Sequence, residues 1–168
     1  MLGTRLATLS DAAVIARIYN EGISERIATF ETEPRTLEQL EAQLREKGDR
    51  YPTVVVERDG AVIAWASVSS YRSRPCYAGI AEHSVYVGRE ARGLGAGLVA
   101  LEALFTAAEQ QGFWKLLSRI FPENVASLAL HRKAGFREVG VYRRHGKLDR
   151  SWRDCVIVER LIGAGQED

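Results

Sequence analysis

The fold is decided by the stretch Val85-Tyr-Val-Gly-Arg-Glu-Ala-Arg-Gly-Leu-Gly-Ala-Gly-Leu98, in which an apolar strand pattern runs into three alternating glycines. A helical repeat follows, because Leu98, Leu101 and Phe105 recur on one face before Gly112 ends the pattern. Glycines permit a sharp turn and a close backbone approach, and the first helical turn offers free N–H groups at the positive end of the helix dipole. The sequence therefore predicts an anion site suited to a diphosphate, with Arg92 as a charged contact.

Three kinds of phosphate-binding loop compete for this stretch. A P-loop ends in Gly-Lys-Ser/Thr, so Gly97-Leu-Val99 excludes that class. A dinucleotide fold needs Gly-x-Gly-x-x-Gly and an acidic residue after the next strand, and Lys115–Ile120 ends without one. The third kind is the Arg-x-x-Gly-x-Gly loop of acetyl-coenzyme A-dependent N-acetyltransferases, which Arg92, Gly95 and Gly97 match. A glycine turn that only packs tightly is the structural alternative.

Outward from this stretch, periodicity and turn residues predict the other elements. They are a strand at 4–7, a helix at about 11–21 with Ser10 as N-cap, a loop at 27–34, a helix from the capping box at Thr36 to Lys47, hairpin strands at 51–58 and 61–68, a strand ending at Val87, a strand at 115–120, a helix at 124–133, a strand after Phe136, and a last strand at 152–162. This order indicates an α+β or mixed-sheet α/β fold rather than a doubly wound sheet. Residues 1–163 are predicted to form one domain and 164–168 a frayed tail.

Composition narrows the class of protein. Apolar residues make up 46% and charged residues 27% of 168, as in globular proteins, so disorder is excluded. Lys plus Arg number 23 and Asp plus Glu 22, which argues against a nucleic-acid partner despite the basic run Arg143–Lys147. Cys76 and Cys155 lack disulfide-scaffold and zinc-ligand spacing. With no signal-peptide core and no bilayer-length apolar run, we expect a cytoplasmic protein without a membrane partner.

A second motif lies about 30 residues beyond the glycines, at Asn124-Val-Ala-Ser-Leu-Ala-Leu-His-Arg-Lys-Ala-Gly-Phe136. The two motifs together resemble the GCN5-related N-acetyltransferase (GNAT) superfamily. This resemblance implies acetyl-CoA as cosubstrate, no metal, a homodimer, and a mixed, mostly antiparallel twisted sheet of about six or seven strands with a splayed central pair and helices on both faces. It implies coenzyme contacts from Val85, Tyr86 and Val87 along the pantetheine, from Arg92, Gly93, Leu94, Gly95, Ala96, Gly97 and Leu98 at the diphosphate, and from Asn124 and Ser127 at the pantetheine arm. Asn124 has the alternative role of a helix N-cap.

Within the superfamily, the chain resembles the phosphinothricin N-acetyltransferase branch along most of its length. The resemblance is carried by Tyr19–Ile23, Ala28–Glu31, Ser70–Tyr77, Ala81–Val87 and His131. It implies acetylation of the α-amino group of a small amino acid, or of an anionic analogue of the phosphinothricin, methionine sulfoximine or arsinothricin type. The alternatives are a protein N-terminal or polyamine acetyltransferase of the same superfamily and a non-catalytic coenzyme A-binding module.

The chemistry of such a transfer needs a proton acceptor, because an ammonium group has no lone pair with which to attack a thioester. The resemblance nominates Glu82 and His131 as catalytic residues. Glu82 is expensive to bury among apolar neighbours without a role, although a structural ion pair is the alternative. His131 could instead be a packing residue, and His83 and His145 are interpreted as structural. No sequence-adjacent base activates either cysteine, so direct transfer in a ternary complex is favoured over an acetyl-enzyme.

Two arginines are the predicted substrate clamps. Arg72 and Arg74 flank a turn beside the predicted acceptor end of the cleft, and a planar guanidinium suits a carboxylate or phosphinate. A solvated turn is the alternative for each. Thr29, Phe30 and Glu31 resemble the substrate-covering loop of the branch, so the expected partner is a small-molecule amine.

Overall fold

The computed structural model describes residues 1–168, and its strands and helices follow the order that the sequence predicts. Their bounds are β1 Leu2–Leu6, α1 Ala12–Glu25, α2 Leu37–Lys47, β2 Thr53–Arg58, β3 Ala61–Ser70, β4 Ile80–Val87, α3 Ala96–Gln110, β5 Lys115–Ile120, α4 Val125–Lys133, β6 Arg137–Leu148 and β7 Ser151–Leu161. The capping box that begins α2 at Thr36 is confirmed, as are the bounds of β5.

The strands form one seven-stranded sheet in the order β1-β2-β3-β4-β5-β7-β6. Every neighbouring pair is antiparallel except β4 and β5, which are parallel. That pair is registered only from Ile80–Lys115 to Glu82–Leu117, whereas β4 continues to Val87 and β5 to Ile120. The two central strands therefore diverge beyond Glu82, which confirms the expected splay and leaves the backbone of β4 without a partner on that side.

Helices cover both faces of the sheet, as the resemblance implies. Alternation along β2 divides the core, because Val54 and Val56 pack against α3 while Val55 packs against α1 and α2. The α3 side holds the larger cluster, with Leu101 and Leu104 fully buried. No helix combines the length and the apolarity that crossing a bilayer requires.

The first helix differs from its prediction at both ends. The N-cap of α1 is Asp11, not Ser10. Thr8 caps the 3-10 turn Leu9–Asp11 that leads into α1, and its N–H donates to Asp11 Oδ2 at 2.8 Å. The helix also passes through Gly22 and ends at Glu25. Gly22 does not stop the helix, because its role is steric: a Cβ there would lie 2.8 Å from Tyr86 Cε1.

The C-terminal residues, for which the sequence predicts a frayed tail, lie against the end of α3. Gly163–Gln166 form a 3-10 turn. The Gly163 N–H donates to Glu109 Oε1 at 3.1 Å, and a Cβ on Gly165 would lie 2.2 Å from the Trp114 carbonyl oxygen. This close approach fits the turn into a space that only a glycine can occupy.

Candidate active site

A cavity of about 350 Å³, here called the loop cavity, lies between the free end of β4, the start of α3 and the start of α4. It is lined by most of the residues predicted to hold coenzyme: Val85, Tyr86, Val87, Arg92, Gly93, Gly95, Ala96, Gly97, Leu98, Asn124 and Ser127. The structure thus brings together residues of the two sequence motifs. Leu94 is the predicted residue that it leaves out, because that side chain is exposed and does not line the cavity.

The backbone of the loop cavity offers a row of hydrogen-bond donors. Gly93 and Gly95 take left-handed conformations, with φ of 78° and 82°, and Gly95 is the N-cap of α3 without a side-chain cap. The first α3 bond is donated by the Val99 N–H to the Gly95 carbonyl, so the N–H groups of residues 93–98 have no protein acceptor. Free amides at a helix N-terminus form a site for phosphate groups.

Arg92 stands at the edge of this cavity and is held by an acidic partner. Its two terminal nitrogens donate to the Glu25 carboxylate, each at 2.9 Å, and Arg89 contacts the same carboxylate at 3.2 Å. Hydrogen bonding by Arg92 is the main cause that lowers the pKa of Glu25. Two guanidinium groups share one carboxylate, so the local charge at the edge of the loop cavity is positive.

Asn124 fills the structural role that the sequence offers as an alternative. Its Oδ1 accepts the Ser127 N–H at 3.2 Å, which caps α4. The capping bond uses only the oxygen, and the amide NH2 group has no acceptor in the protein while the residue lines the loop cavity. The cap and a ligand contact are therefore compatible.

A second cavity of about 280 Å³, here called the Glu82 cavity, lies on the other side of the β4 end. Its walls include Thr29 and Phe30 from the 27–36 loop, Glu82 from β4, and Arg119 and Phe121 at the end of β5. A small cavity lined by residues of both larger ones, among them Ser84, Tyr86 and Asn124, lies between them. The two cavities thus meet where β4 and β5 diverge.

Glu82 faces a guanidinium that the sequence reasoning missed. Because Glu82 registers with Leu117 in parallel strands, Arg119, two residues further on, lies on the same face of the sheet. Its Nη2 donates to Glu82 Oε2 at 3.2 Å. The sequence signal was weak, since Arg119 is one of three polar residues in the strand Lys115–Ile120, and only the register with β4 places it on the Glu82 face.

His131 lies at the junction of the cavities with both ring nitrogens engaged. Nδ1 lies 2.7 Å from the Ser127 carbonyl oxygen, to which it donates, and Nε2 lies 2.9 Å from Nε2 of His83. Burial is the first cause that lowers the pKa of both imidazoles, and the neighbouring His131 lowers that of His83 further. The lowered pKa values favour the neutral form of both rings. In that form His131 Nδ1 carries the proton that it donates to Ser127, so Nε2 accepts the Nε2–H of His83.

The side chains of the predicted substrate-covering loop lie in two different places. Phe30 packs edge-on against Phe121 with ring centroids 4.8 Å apart, and Gly146 leaves room for its ring because a Cβ there would lie 2.7 Å from it. Thr29 lines the Glu82 cavity beside Phe30. Glu31 turns away to an ion pair with Arg35, which lowers the pKa of its carboxyl group.

The other side chains singled out from the sequence lie elsewhere or remain unactivated. Arg72 and Arg74 are exposed, and neither lines the Glu82 cavity. Cys76 is exposed, and Cys155 is buried in the wall of the Glu82 cavity, where burial raises the pKa of its thiol. A protonated thiol without a hydrogen-bonded base is a poor nucleophile.

Comparison with known proteins agrees with this geometry. The sequence profile described as "Acetyltransferase (GNAT) family" matches residues 15–136. The chain is 32% identical to the phosphinothricin N-acetyltransferase of Streptomyces viridochromogenes, over 93% of this chain and 85% of that one. It is 31% identical to the L-methionine sulfoximine/L-methionine sulfone acetyltransferase of Pseudomonas aeruginosa, over 92% and 91% of the two chains.

A solved structure extends the comparison to three dimensions. The phosphinothricin acetyltransferase of Sinorhizobium meliloti in complex with AcCoA superposes with a TM-score of 0.88 at 33% identity, covering 99% of this chain and 91% of that one. The sequence match includes both motifs of the loop cavity, and the structural match includes the whole splayed sheet. The chain belongs to the acetyltransferase (GNAT) family, in the branch that contains phosphinothricin and methionine sulfoximine acetyltransferases, and it is an acyltransferase.

Proposed function

We propose that the protein transfers the acetyl group of acetyl-CoA directly to the α-amino group of a small amino acid or an anionic analogue of one, within a ternary complex. The observation that carries this proposal is the meeting of two cavities at the divergence of β4 and β5: one is lined by free amides, the other contains a carboxylate. The S. meliloti relative, with AcCoA bound, supports acetyl-CoA as the donor.

The loop cavity is suited to the coenzyme. The free N–H groups of residues 93–98 suit its diphosphate, and the unpaired side of β4 beyond Glu82 suits the amides of its pantetheine arm. Bound in this way, acetyl-CoA supplies a thioester beside the Glu82 cavity. The residues that fit it are those of the Arg-x-x-Gly-x-Gly loop together with Val85, Val87, Asn124 and Ser127.

Glu82 is the proposed proton acceptor. An α-ammonium group must lose one proton before its nitrogen can attack the thioester carbonyl carbon, and Glu82 takes it directly or through one water. The C–N bond then forms, the C–S bond breaks, and the second amine proton leaves as the thiolate takes one up. We infer that His131 supports this site rather than taking the proton, because both of its ring nitrogens are already hydrogen-bonded.

The size of the Glu82 cavity favours a small amine. About 280 Å³ bounded by Phe30 and Phe121 accommodates an amino acid, and one charged residue of each sign fits a zwitterion better than a polycation. The named substrates of the Streptomyces and Pseudomonas relatives, phosphinothricin and methionine sulfoximine, are amino-acid analogues of this size.

The test combines coenzyme binding with turnover. Calorimetry should give saturable acetyl-CoA binding, and thiol release should rise with amino acids or their anionic analogues but not with polyamines or peptides. Glu82→Gln should lower kcat by about 10²–10⁴-fold, because general-base catalysis contributes that much, while leaving acetyl-CoA affinity intact.

Glu90→Gln is the matched control, because Glu90 is exposed in the turn before the glycines and lines neither cavity. Its turnover should equal that of the wild type. Unchanged turnover in Glu82→Gln, or acetyl-CoA binding without acetylation of any amine, would contradict the proposed function.

A further inference from the structure

We propose that Arg119 binds the α-carboxylate of the substrate while Glu82 receives its α-ammonium group, so that this ion pair is a receptor for the amino-acid zwitterion. The inference rests on the proposed function and adds to it the residue that selects free amino acids. Arg119 lies in the wall of the Glu82 cavity, and it is not one of the two arginines that the sequence nominates as clamps.

The position of the pair follows from the register of the splayed strands. Glu82 is the last residue of β4 that registers with β5, opposite Leu117. Arg119 follows two residues later on the same face, just where the strands separate. Its side chain lines both the Glu82 cavity and the small cavity between it and the loop cavity.

The Glu82 cavity has one charged side chain for each of the two charged groups of a zwitterion. Among the residues that line it, Glu82 is the anion and Arg119 the cation, and the buried His83 is neutral. The remaining lining is aromatic, aliphatic, thiol or hydroxyl. An α-amino acid carries its ammonium and carboxylate groups on one carbon, so its two charges can contact two oppositely charged side chains that are themselves neighbours.

The existing contact leaves Arg119 able to bind a second carboxylate. Only Nη2 is used, in a single bond of 3.2 Å to Glu82 Oε2, and 48% of the side chain is exposed. A guanidinium has five donors in a planar fork, which match a carboxylate bidentately. A pair this exposed contributes little to stability, so its position in the cavity wall is better explained by ligand binding.

Substrate binding would also free Glu82 to accept a proton from the amine. While the site is empty, Arg119 occupies Glu82 Oε2. When the α-carboxylate takes the guanidinium, that oxygen becomes available to accept from the α-ammonium group. Recognition of the carboxylate and removal of the proton are then coupled, and an amine without a neighbouring carboxylate lacks this advantage.

The test compares an amino acid with its carboxamide in the full chain. Arg119→Met should lower kcat/KM for the amino acid by about 10–150-fold, which corresponds to one lost hydrogen-bonded contact to a charged group, and mainly through KM. The activity toward the amino-acid amide should change by less than about threefold. Arg119→Lys keeps the charge but loses the planar fork, so its kcat/KM for the amino acid should lie between those of the wild type and Arg119→Met.

Arg58→Met is the matched control: its side chain is 49% exposed and makes one ion pair, at the end of β2, outside both cavities. It should leave both activities unchanged. Equal losses for acid and amide in Arg119→Met would overturn the inference, as would a wild-type preference for the amide, a measurement that needs no variant. Failure of the wild type to acetylate any amino acid would instead overturn the proposed function.

Discussion

The loop cavity and the Glu82 cavity are neighbours built from different parts of the chain. The loop cavity offers main-chain N–H groups, set by two left-handed glycines and the first turn of α3. The Glu82 cavity offers side chains, whose positions depend on the register of β4 with β5 and on the 27–36 loop packed through Phe30. The first arrangement suits a ligand feature that does not vary, a diphosphate, and the second suits a feature that distinguishes one amine from another.

Because of this difference, the two cavities should also differ in their sensitivity to pH. Main-chain amides do not titrate, whereas the Glu82 cavity contains a carboxylate and lies above the buried pair of His83 and His131. The pair is flanked by the Phe136 ring, whose centroid lies 4.8 Å from that of His83. Protonation of either imidazole would place a charge in an apolar site.

The largest expected effect in this comparison is therefore acid destabilisation through the histidine pair. Both folded-state pKa values are lowered, so the unfolded chain binds more protons than the folded one as the pH falls below about 6.5. The free energy of unfolding should then drop by up to about 1.4 kcal/mol per pH unit for each ring. Urea unfolding at several pH values between 7.5 and 5.5 measures it.

His83→Leu should reduce this slope, and His145→Gln should not, because the His145 ring is exposed on β6. A wild-type stability that does not change through this range would show that the folded pair takes up protons as readily as the unfolded chain does. It would also remove the reason to treat His131 as a neutral support of the Glu82 cavity.

The same division explains what the sequence could predict. The glycine-loop part of the loop cavity was predictable because glycine spacing and helix periodicity lie within one continuous stretch, and the glycines act through their own backbone. Glu82 was nominated by the resemblance to the acetyltransferase family, and the structure shows that it lines the Glu82 cavity. Arg119 was not found, because its contact with Glu82 depends on which residues of two distant strands stand opposite each other.

Three other differences have the same origin. Gly22 was interpreted as the end of α1, but the ring of Tyr86, far along the chain, requires a residue without a Cβ there. Glu31 was grouped with Thr29 and Phe30, yet Arg35 draws it away from the cavity that they line. The 3-10 turn at the C-terminus depends on its fit against Trp114. In each case the deciding neighbour is tertiary or lies outside the motif.

A smaller effect is expected for Gly95→Ala, which should distinguish the role of this glycine in the turn from its role in coenzyme binding. Gly95→Ala places a Cβ in the left-handed region at φ of 82°, at a cost of about 1–2 kcal/mol. Gly60→Ala is the matched control, since Gly60 has φ of 79° with equally open space around it, in the β2–β3 turn. Both variants should lose similar unfolding free energy in urea.

Only Gly95→Ala should affect the coenzyme, because only that loop directs amides into the cavity. If the loop shifts to relieve the strain, the KM for acetyl-CoA should rise by about 5–30-fold, the factor that 1–2 kcal/mol represents. An equal KM in both variants would mean that the glycine is needed for the turn alone, and that the acetyl-CoA site does not depend on the positions of these amides.

The smallest effect concerns the one side chain on which the loop cavity depends for both structure and binding. Asn124→Ala removes the cap of α4 and should cost about 1 kcal/mol, whereas Asn124→Ser retains a capping oxygen and should cost only a fraction of that. Both variants lose the amide NH2 group that has no acceptor in the protein. If that group binds the pantetheine arm, both should raise the KM for acetyl-CoA by about 2–12-fold, the worth of one hydrogen bond of 0.5–1.5 kcal/mol. A wild-type KM in Asn124→Ser would confine Asn124 to the cap and leave coenzyme binding to the backbone amides and Arg92.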